Sequence, residues 1–431
     1  MLKIVSKENF KKEIKRISKS SSLGIERQEA KLVRAIISEV AKTGDKALFK
    51  YTKKFDNSEL NAKTVKVTSK EIDEAYEKID KDFLPALRMA IKNVTKYHEK
   101  QKAEQWFETY PGDVVLGQRS MPIGRVGIYV PGGVISYPST VIMNAVPAKI
   151  AGVPEIVMAT PPIKGKKKVN PYVLVAAKEV NVGEIYKIGG AQAIAALTYG
   201  TESIPKVDKI VGPGNIYVTL AKKQVYGDVG IDKLAGPSDV IIVADGDAIP
   251  EYIAADLLAQ AEHDPDARAI LITVSQDIAK KTQKEVAKQL KKLSRKKIAA
   301  QSLEKNCAVF VVEGMRKAAE IINVLAPEHL ELMVSSPQKL LENVKNAGAV
   351  FLGPYSPEVV GDYIAGPNHV LPTGGTARFS SPLGVYDFVK KQSIIGYTKP
   401  ALKEVYKNIK ILAEVEGLDA HAKAAEIRFK Q

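Results

Sequence analysis

From residue 114 onward the chain alternates short apolar, β-branched runs with helical segments, and this alternation restricts its fold more than any other feature. Strands are predicted at 126–130, 155–159, 184–188 and 209–211, with helices at 139–151, 171–180, 192–199 and 216–226. A second series places strands at 240–243, 269–274, 309–312, 330–334 and 349–352. Strands buried on both faces read as continuous apolar runs, and parallel neighbours need a crossover connection, usually a helix. The sequence therefore predicts two Rossmann-like parallel-sheet α/β modules, joined near Ala235-Gly236-Pro237-Ser238.

Before this, residues 8–104 carry helical periodicity. Leu32, Ile36, Val40, Leu48 and Phe49 predict helix across 26–55, interrupted at Thr43-Gly44-Asp45. Thr68-Ser69-Lys70-Glu71 has the form of a capping box, and 72–97 continues as helix with a break before Pro85. His98 stands among lysines and glutamates, where a solvated surface position is expected. The C-terminal tail reads as helix from 401 to 413.

A formal net charge of +15 raises the question of nucleic acid. The lysines are scattered or fall in short runs such as 164–168 and 291–297, and the few aromatics do not interleave with them as a stacking platform requires. A solvated lysine-rich surface is expected instead, whose field acidic substrates or cofactor phosphates would feel. No apolar run reaches the about 18 residues that span a bilayer, and Met1 to Glu8 lacks the apolar core of a signal peptide. One cysteine, Cys307, excludes a disulfide within the chain and a thiolate metal cluster. A cytoplasmic location without a membrane partner is the expectation.

Glycine-rich turns follow three strands of the first module: Tyr129-Val130-Pro131-Gly132-Gly133, Ile188-Gly189-Gly190-Ala191-Gln192 and Val211-Gly212-Pro213-Gly214-Asn215. Turns at the carboxyl ends of parallel strands are where open α/β sheets bind ligands, and helix starts there offer backbone N–H groups to phosphate. The G-x-G-x-x-G fingerprint is absent, since Gly212-Pro213-Gly214 continues Asn215-Ile216-Tyr217. Structural turns and a nucleotide site both remain open on this reading.

The second module carries the chemistry. In 259–265 an amide, two carboxylates and an imidazole occupy one turn at the end of an apolar helix, with Gln260 and His263 on one face. Glu328-His329 precedes an apolar strand, Gly361-Asp362-Tyr363 follows, and 365–375 is a turn-rich passage. Three of the five histidines (His263, His329, His421) stand beside acidic or amide neighbours. Nitrogen and oxygen donors without sulfur suit zinc or manganese, with zinc favoured where imidazoles dominate. Glu262 and Asp264 are alternatives to their neighbours as ligands. A hydrogen bond that orders its loop is the reading for His369.

The chain resembles histidinol dehydrogenases. The matching segments are 127–133, 189–196, 212–215, 235–238, 259–265, 327–330, 361–363, 367–373 and the closing 416–421. The resemblance implies zinc ligands at Gln260, His263, Asp362 and His421, the last supplied by the partner in a domain-swapped homodimer. It implies catalysis by Glu328 and His329, and contacts to L-histidinol from Ser238, His329 and Glu416 together with the metal ligands. NAD contacts are implied at Tyr129, Gln192 and Asn215, one in each glycine-rich turn. The implied domains are an N-terminal helical arm over 1–23, a metal and catalytic domain over 24–128 and 239–383, an NAD-binding domain over 129–238, and a dimerisation tail over 384–431. The implied reaction is the four-electron oxidation of L-histidinol through L-histidinaldehyde to L-histidine, with His329 as base and Glu328 activating water. A rival route would use Cys307 as a nucleophile on the aldehyde, although its setting before an apolar strand reads as a buried structural thiol. The alternative classes are a zinc-dependent hydrolase, which would ignore NAD, and a basic nucleic-acid-binding protein, which would need no zinc.

Overall fold

The computed structural model describes residues 2–21, 27–102, 104–132 and 137–429, so Gly133 of the first glycine-rich turn and the expected boundary at 23–24 lie outside the described residues. In chain order the strands are β1 (Lys3–Val5), β2 (Trp106–Tyr110), β3 (Val114–Pro122), β4 (Arg125–Tyr129), β5 (Glu155–Ala159), β6 (Glu184–Tyr186) and β7 (Lys209–Val211). There follow β8 (Gly230–Ile231), β9 (Asp239–Ala244), β10 (Arg268–Thr273), β11 (Ala308–Val311), β12 (His329–Met333), β13 (Ala349–Leu352) and β14 (Val389–Gly396). Two of the three sheets are parallel, in the orders β6-β5-β4-β7-β8 and β1-β11-β10-β9-β12-β13. Both are covered on both faces, as the apolar runs require. Along β9, Val240, Ile242 and Ala244 enter one core while Ile241 and Val243 enter the other.

The N-terminal helices form where periodicity and caps place them. Arg27–Thr43 and Asp45–Asp56 are separated at Gly44, whose φ of +53° suits glycine. Thr68 and Glu71 make both bonds of the capping box, and Pro85 sits in the first turn of Phe83–His98. These helices pack on the first sheet: Val33, Ile36 and Leu48 meet Ile194 and Val218, and Leu87 and Val94 meet Val126 and Met143. Segment 24–128 packs both on the first sheet and on the expected partner segment 239–383, since Val370 and Leu383 share the cluster of Leu87 and Val94. Segment 1–23 is not simply a helical arm. Its first residues form β1, the edge strand beside β11, and Phe10 and Ile17 of the following helix pack with Phe310.

His98 corrects another expectation. It is fully buried, and its Nδ1 pairs with the Val94 carbonyl at 2.8 Å. Leu87, Ala90, Val94 and His98 recur at helical spacing, so the histidine extends the apolar stripe despite its charged neighbours.

The third sheet, β14-β3-β2, is antiparallel and unforeseen. Its hairpin turns at Pro111-Gly112-Asp113, with positive φ at Gly112 and Asp113. After it the tail runs as helices Lys399–Val415 and Asp419–Glu426. Among the described residues no helix is long and apolar enough to cross a membrane.

One topological feature sets the site. The chain leaves the carboxyl end of β8 at Ile231 and enters the amino end of β9 at Asp239. The seven residues between, 232–238, span at most about 25 Å even fully extended. The carboxyl edge of the first sheet is thereby tethered to the amino edge of the second.

Candidate active site

The amino edge of the second sheet carries the chemistry. Residues Asp239 and His329 open the adjacent strands β9 and β12, with His329 in register with Val240. Helix Pro250–Ala261 returns antiparallel to the strands, so its last turn brings Gln260 to the same edge, with His263 just beyond. The short helix Glu358–Tyr363 carries Glu358 and Asp362 one turn apart. His263, Glu358 and Asp362 each offer a ligand atom, all within 4.8 Å of one another, with His263 on the exposed side. Gln260 is fully buried, with the end of its amide 3.1 Å from both Glu358 oxygens, so that its nitrogen donates to them in one orientation of the amide and its oxygen faces them in the other. A cation held between them would favour the second orientation, in which the amide presents its oxygen.

His329 is held in one tautomer. Its Nδ1 lies 3.2 Å from the Asp239 carbonyl, which can only accept, so Nδ1 carries the proton. Nε2 is then the lone-pair nitrogen, and it is buried without a hydrogen-bond partner, 3.8 Å from an Asp362 carboxylate oxygen. Nδ1 is also 3.8 Å from Glu358. Burial pushes the imidazole pKa down to about 3, so His329 is neutral.

Glu328 is buried beside it. Its Oε2 accepts from the Asp239 N–H at 3.1 Å, and the Ser238 hydroxyl also bonds its carboxyl. Burial first, and then the charge of Asp239, raise its pKa well above the ordinary carboxylate range. Burial likewise raises Asp362 to about 6. His369, half-buried in the turn-rich passage, hydrogen-bonds the backbone of Asp362, the kind of bond expected of it.

Whether these residues suit a metal can be tested on their charges. Among the described residues, the only basic side chain within 4 Å of the Glu358 or Asp362 carboxylates is His329, itself neutral. One buried and one half-buried carboxyl, an imidazole and an amide without a balancing cation form a nitrogen and oxygen donor set that fits a divalent metal such as zinc.

Glu416 and His421 are not brought to this cluster within the chain. Both are exposed, at the end of Lys399–Val415 and in Asp419–Glu426. Tyr129, Gln192 and Asn215 lie instead along the carboxyl edge of the first sheet. The Gly190 N–H donates to the Tyr129 hydroxyl at 3.0 Å, joining the first two turns. Both amide atoms of buried Gln192 lack partners, and Asn215 caps Ile216–Val225 through its carbonyl oxygen. Tyr137, just before the helix Pro138–Ile150, feels the charges of Arg295 and Asp264. Two residues of the site, Asp239 and Glu358, were not among the candidates. Glu358 precedes Asp362 by one helical turn and follows a proline, and that spacing was its signal.

Cys307 stands apart at the start of β11, separated from β12 by two strands. Its sulfur accepts from the Ala269 N–H at 3.2 Å, and burial raises the thiol to about 11. The sulfur is a packed, protonated group.

The fold and site define a two-module α/β protein with an imidazole and carboxylate cluster at the amino edge of its second sheet. The histidinol dehydrogenase family profile matches residues 20–429. A histidinol dehydrogenase of Caldanaerobacter subterraneus subsp. tengcongensis is 55% identical over 400 residues, 93% of this chain and 92% of that protein. One of Bacillus cereus is 53% identical over 426 residues, 98% of each. The crystal structure of histidinol dehydrogenase from Elizabethkingia anophelis superposes with a TM-score of 0.92 at 38% identity, covering 99% of this chain and 97% of that one. The chain belongs to the histidinol dehydrogenase family.

Proposed function

We propose that the protein oxidises L-histidinol to L-histidine in two NAD-dependent steps through L-histidinaldehyde. The observation carrying this reading is the unpartnered Nε2 of neutral His329, aimed into the cluster of Asp362, Glu358 and His263. Gln260, His263 and Asp362 would hold zinc, with the Glu358 carboxyl beside them. Bound there, zinc supplies a positive centre that anchors the substrate's imidazole and amine.

His329 Nε2 takes the hydroxyl proton as hydride leaves the carbon. Burial makes the imidazolium costly, and the carboxyls 3.8 Å from each ring nitrogen offset that cost when it forms. Glu328 draws a proton from the water that adds to the aldehyde, and Ser238 orients its carboxyl. Tyr129, Gln192 and Asn215 would contact the dinucleotide, and the unpartnered Gln192 amide supports that role.

Assembly as a homodimer completes the reading. Leu412, Val415 and Leu418 of the tail are exposed, as are Trp106, Phe107 and Ile395 of the antiparallel sheet. Apolar exposure on this scale fits burial against a second copy. His421 and Glu416, out of reach of their own cluster, would serve the partner's site. The domains are best divided as the sequence suggested for 129–238 and 384–431, with the N-terminal helices beside the first of these. A cytoplasmic location accords with this biosynthetic chemistry.

The test is NADH formation from L-histidinol and NAD, with and without a chelator. Absence of NADH under every metal condition would overturn the reading. Glu328→Gln separates the steps: alcohol oxidation continues while aldehyde oxidation falls by about 10² or more, the usual contribution of a general base. Equal loss of both steps would refute that division of roles.

A further inference from the structure

Beyond the three turn residues, the first sheet contains a buried ion pair that the mechanism does not use. Lys222 of Ile216–Val225 and Asp232 just after β8 have side chains only 3% and 1% exposed. Between them they grip both sides of one glycine. Lys222 Nζ donates to the Gly212 carbonyl at 2.9 Å and bonds an Asp232 oxygen, while the Gly212 N–H donates to the other Asp232 oxygen at 2.8 Å.

Gly212 lies just past the end of β7, where the strand ladder no longer supplies partners. Its φ is +109°, and a Cβ there would stand 2.2 Å from the Tyr129 carbonyl oxygen. The turn is thus pressed against the backbone of one candidate cofactor contact, and three residues later it delivers another, Asn215. Asn215 in turn caps the helix that carries Lys222, which closes the circuit.

We propose that Lys222 and Asp232 are positioning residues for dinucleotide binding, fixing the Gly212 turn so that Asn215 and Tyr129 hold their places. This rests on the reading of the first-sheet edge as the NAD site. Charge is not needed here for stability, because a buried ion pair is often matched or bettered by a well-packed apolar pair. What an apolar pair cannot do is hydrogen-bond a backbone N–H and C=O beyond a strand end. The pair's specific contribution is therefore turn geometry.

The experiment uses the zinc-loaded dimer and titrates NAD by calorimetry alongside histidinol kinetics and thermal melting. Lys222→Met should weaken NAD binding by about tenfold, the factor for losing a hydrogen-bonded constraint of about 1.4 kcal/mol, and lower the melting temperature. The Michaelis constant for histidinol should stay unchanged. The double variant Lys222→Met/Asp232→Leu removes the stranded charge, so it should regain melting temperature while NAD binding stays weak. NAD affinity that recovers along with stability, or that never changes in folded variants, would overturn the proposal. Gln192→Ala and Asn215→Ala run in parallel. If they weaken NAD binding and the Lys222 variants do not, only the positioning role fails. If neither does, the edge is not the cofactor site and the proposal falls with it.

Discussion

Asp239 and Glu328 bind each other twice. The Asp239 N–H donates to Glu328 Oε2 at 3.1 Å, and the Glu328 N–H donates to Asp239 Oδ1 at 2.9 Å. Two acidic residues on neighbouring strands thus share a backbone clasp that brings their carboxyls together away from water. The charge of Asp239 makes Glu328 harder to ionise, and burial raises Asp239 itself to about 6, with Arg268 and the Glu328 N–H holding it down. A base prepared in this way is neutral over much of the acid range and strong once ionised.

Asp239→Asn keeps an oxygen acceptor for the Glu328 N–H and removes the charge. The Glu328 carboxyl should then ionise at lower pH, because its second-ranked perturbing influence is gone. In the pH profile of L-histidinaldehyde oxidation, the acid limb should move to lower pH, with the rate at the optimum falling less than about tenfold because the hydrogen bond survives. An unmoved limb would mean that another group governs this step.

Metal removal should show a proton signature. Without a metal, burial raises Asp362 from 3.8 to about 6. A carboxyl with a raised folded-state pKa contributes stability that is intact below 3.8 and lost as pH climbs through about 6. Chelated protein should therefore melt below the zinc-loaded protein by a margin that widens across that window. Zinc affinity should weaken below pH 6 by up to about tenfold per pH unit for each proton displaced. Melting curves at pH 5, 6 and 7 with and without chelator check this, and a constant gap would exclude Asp362 from the metal's protons.

Cys307→Ser should leave turnover within about twofold, as a thiol outside the chemistry requires. The Ala269 N–H keeps an acceptor, so the cost should be limited to about 1–2 kcal/mol in unfolding experiments for placing a hydroxyl where a soft sulfur packed. Aldehyde accumulating with little acid formed would bring the thiol back into the mechanism.

The sequence was most legible where one element carries the whole signal. Gln260 in the last turn of its helix, the Thr68–Glu71 box, and the parallel strands with their glycine turns all follow from local spacing. Long-range assembly was harder to read. Nothing local to Asp362 announces that its helix lands beside His263, and Glu358 was passed over because a six-residue helix is too short for a periodic pattern. The antiparallel sheet escaped because its third strand comes some 270 residues after its hairpin, about the span separating Pro122 from its partner Val389. The carboxyl-edge rule for α/β sheets located the first-module turns but not the second-module cluster, which gathers at the amino edge because the linker 232–238 delivers the chain there.

That division between edges leaves His421 as the sharpest open question, because the tail carrying it projects exposed apolar side chains and does not return to its own cluster. If His421 of the partner subunit completes each site, a His421→Ala chain and a Gln260→Ala chain should each be inactive as homodimers. Their heterodimer would hold one intact site, made from the first chain's cluster and the second chain's tail. Random exchange in an equal mixture makes half the dimers mixed, each with one working site of two, so about a quarter of the wild-type rate should return. Subunit exchange can be followed separately by differently tagged chains. Exchange without recovered NADH formation would place His421 outside the partner's site and return the fourth ligand position to the chain that carries His263.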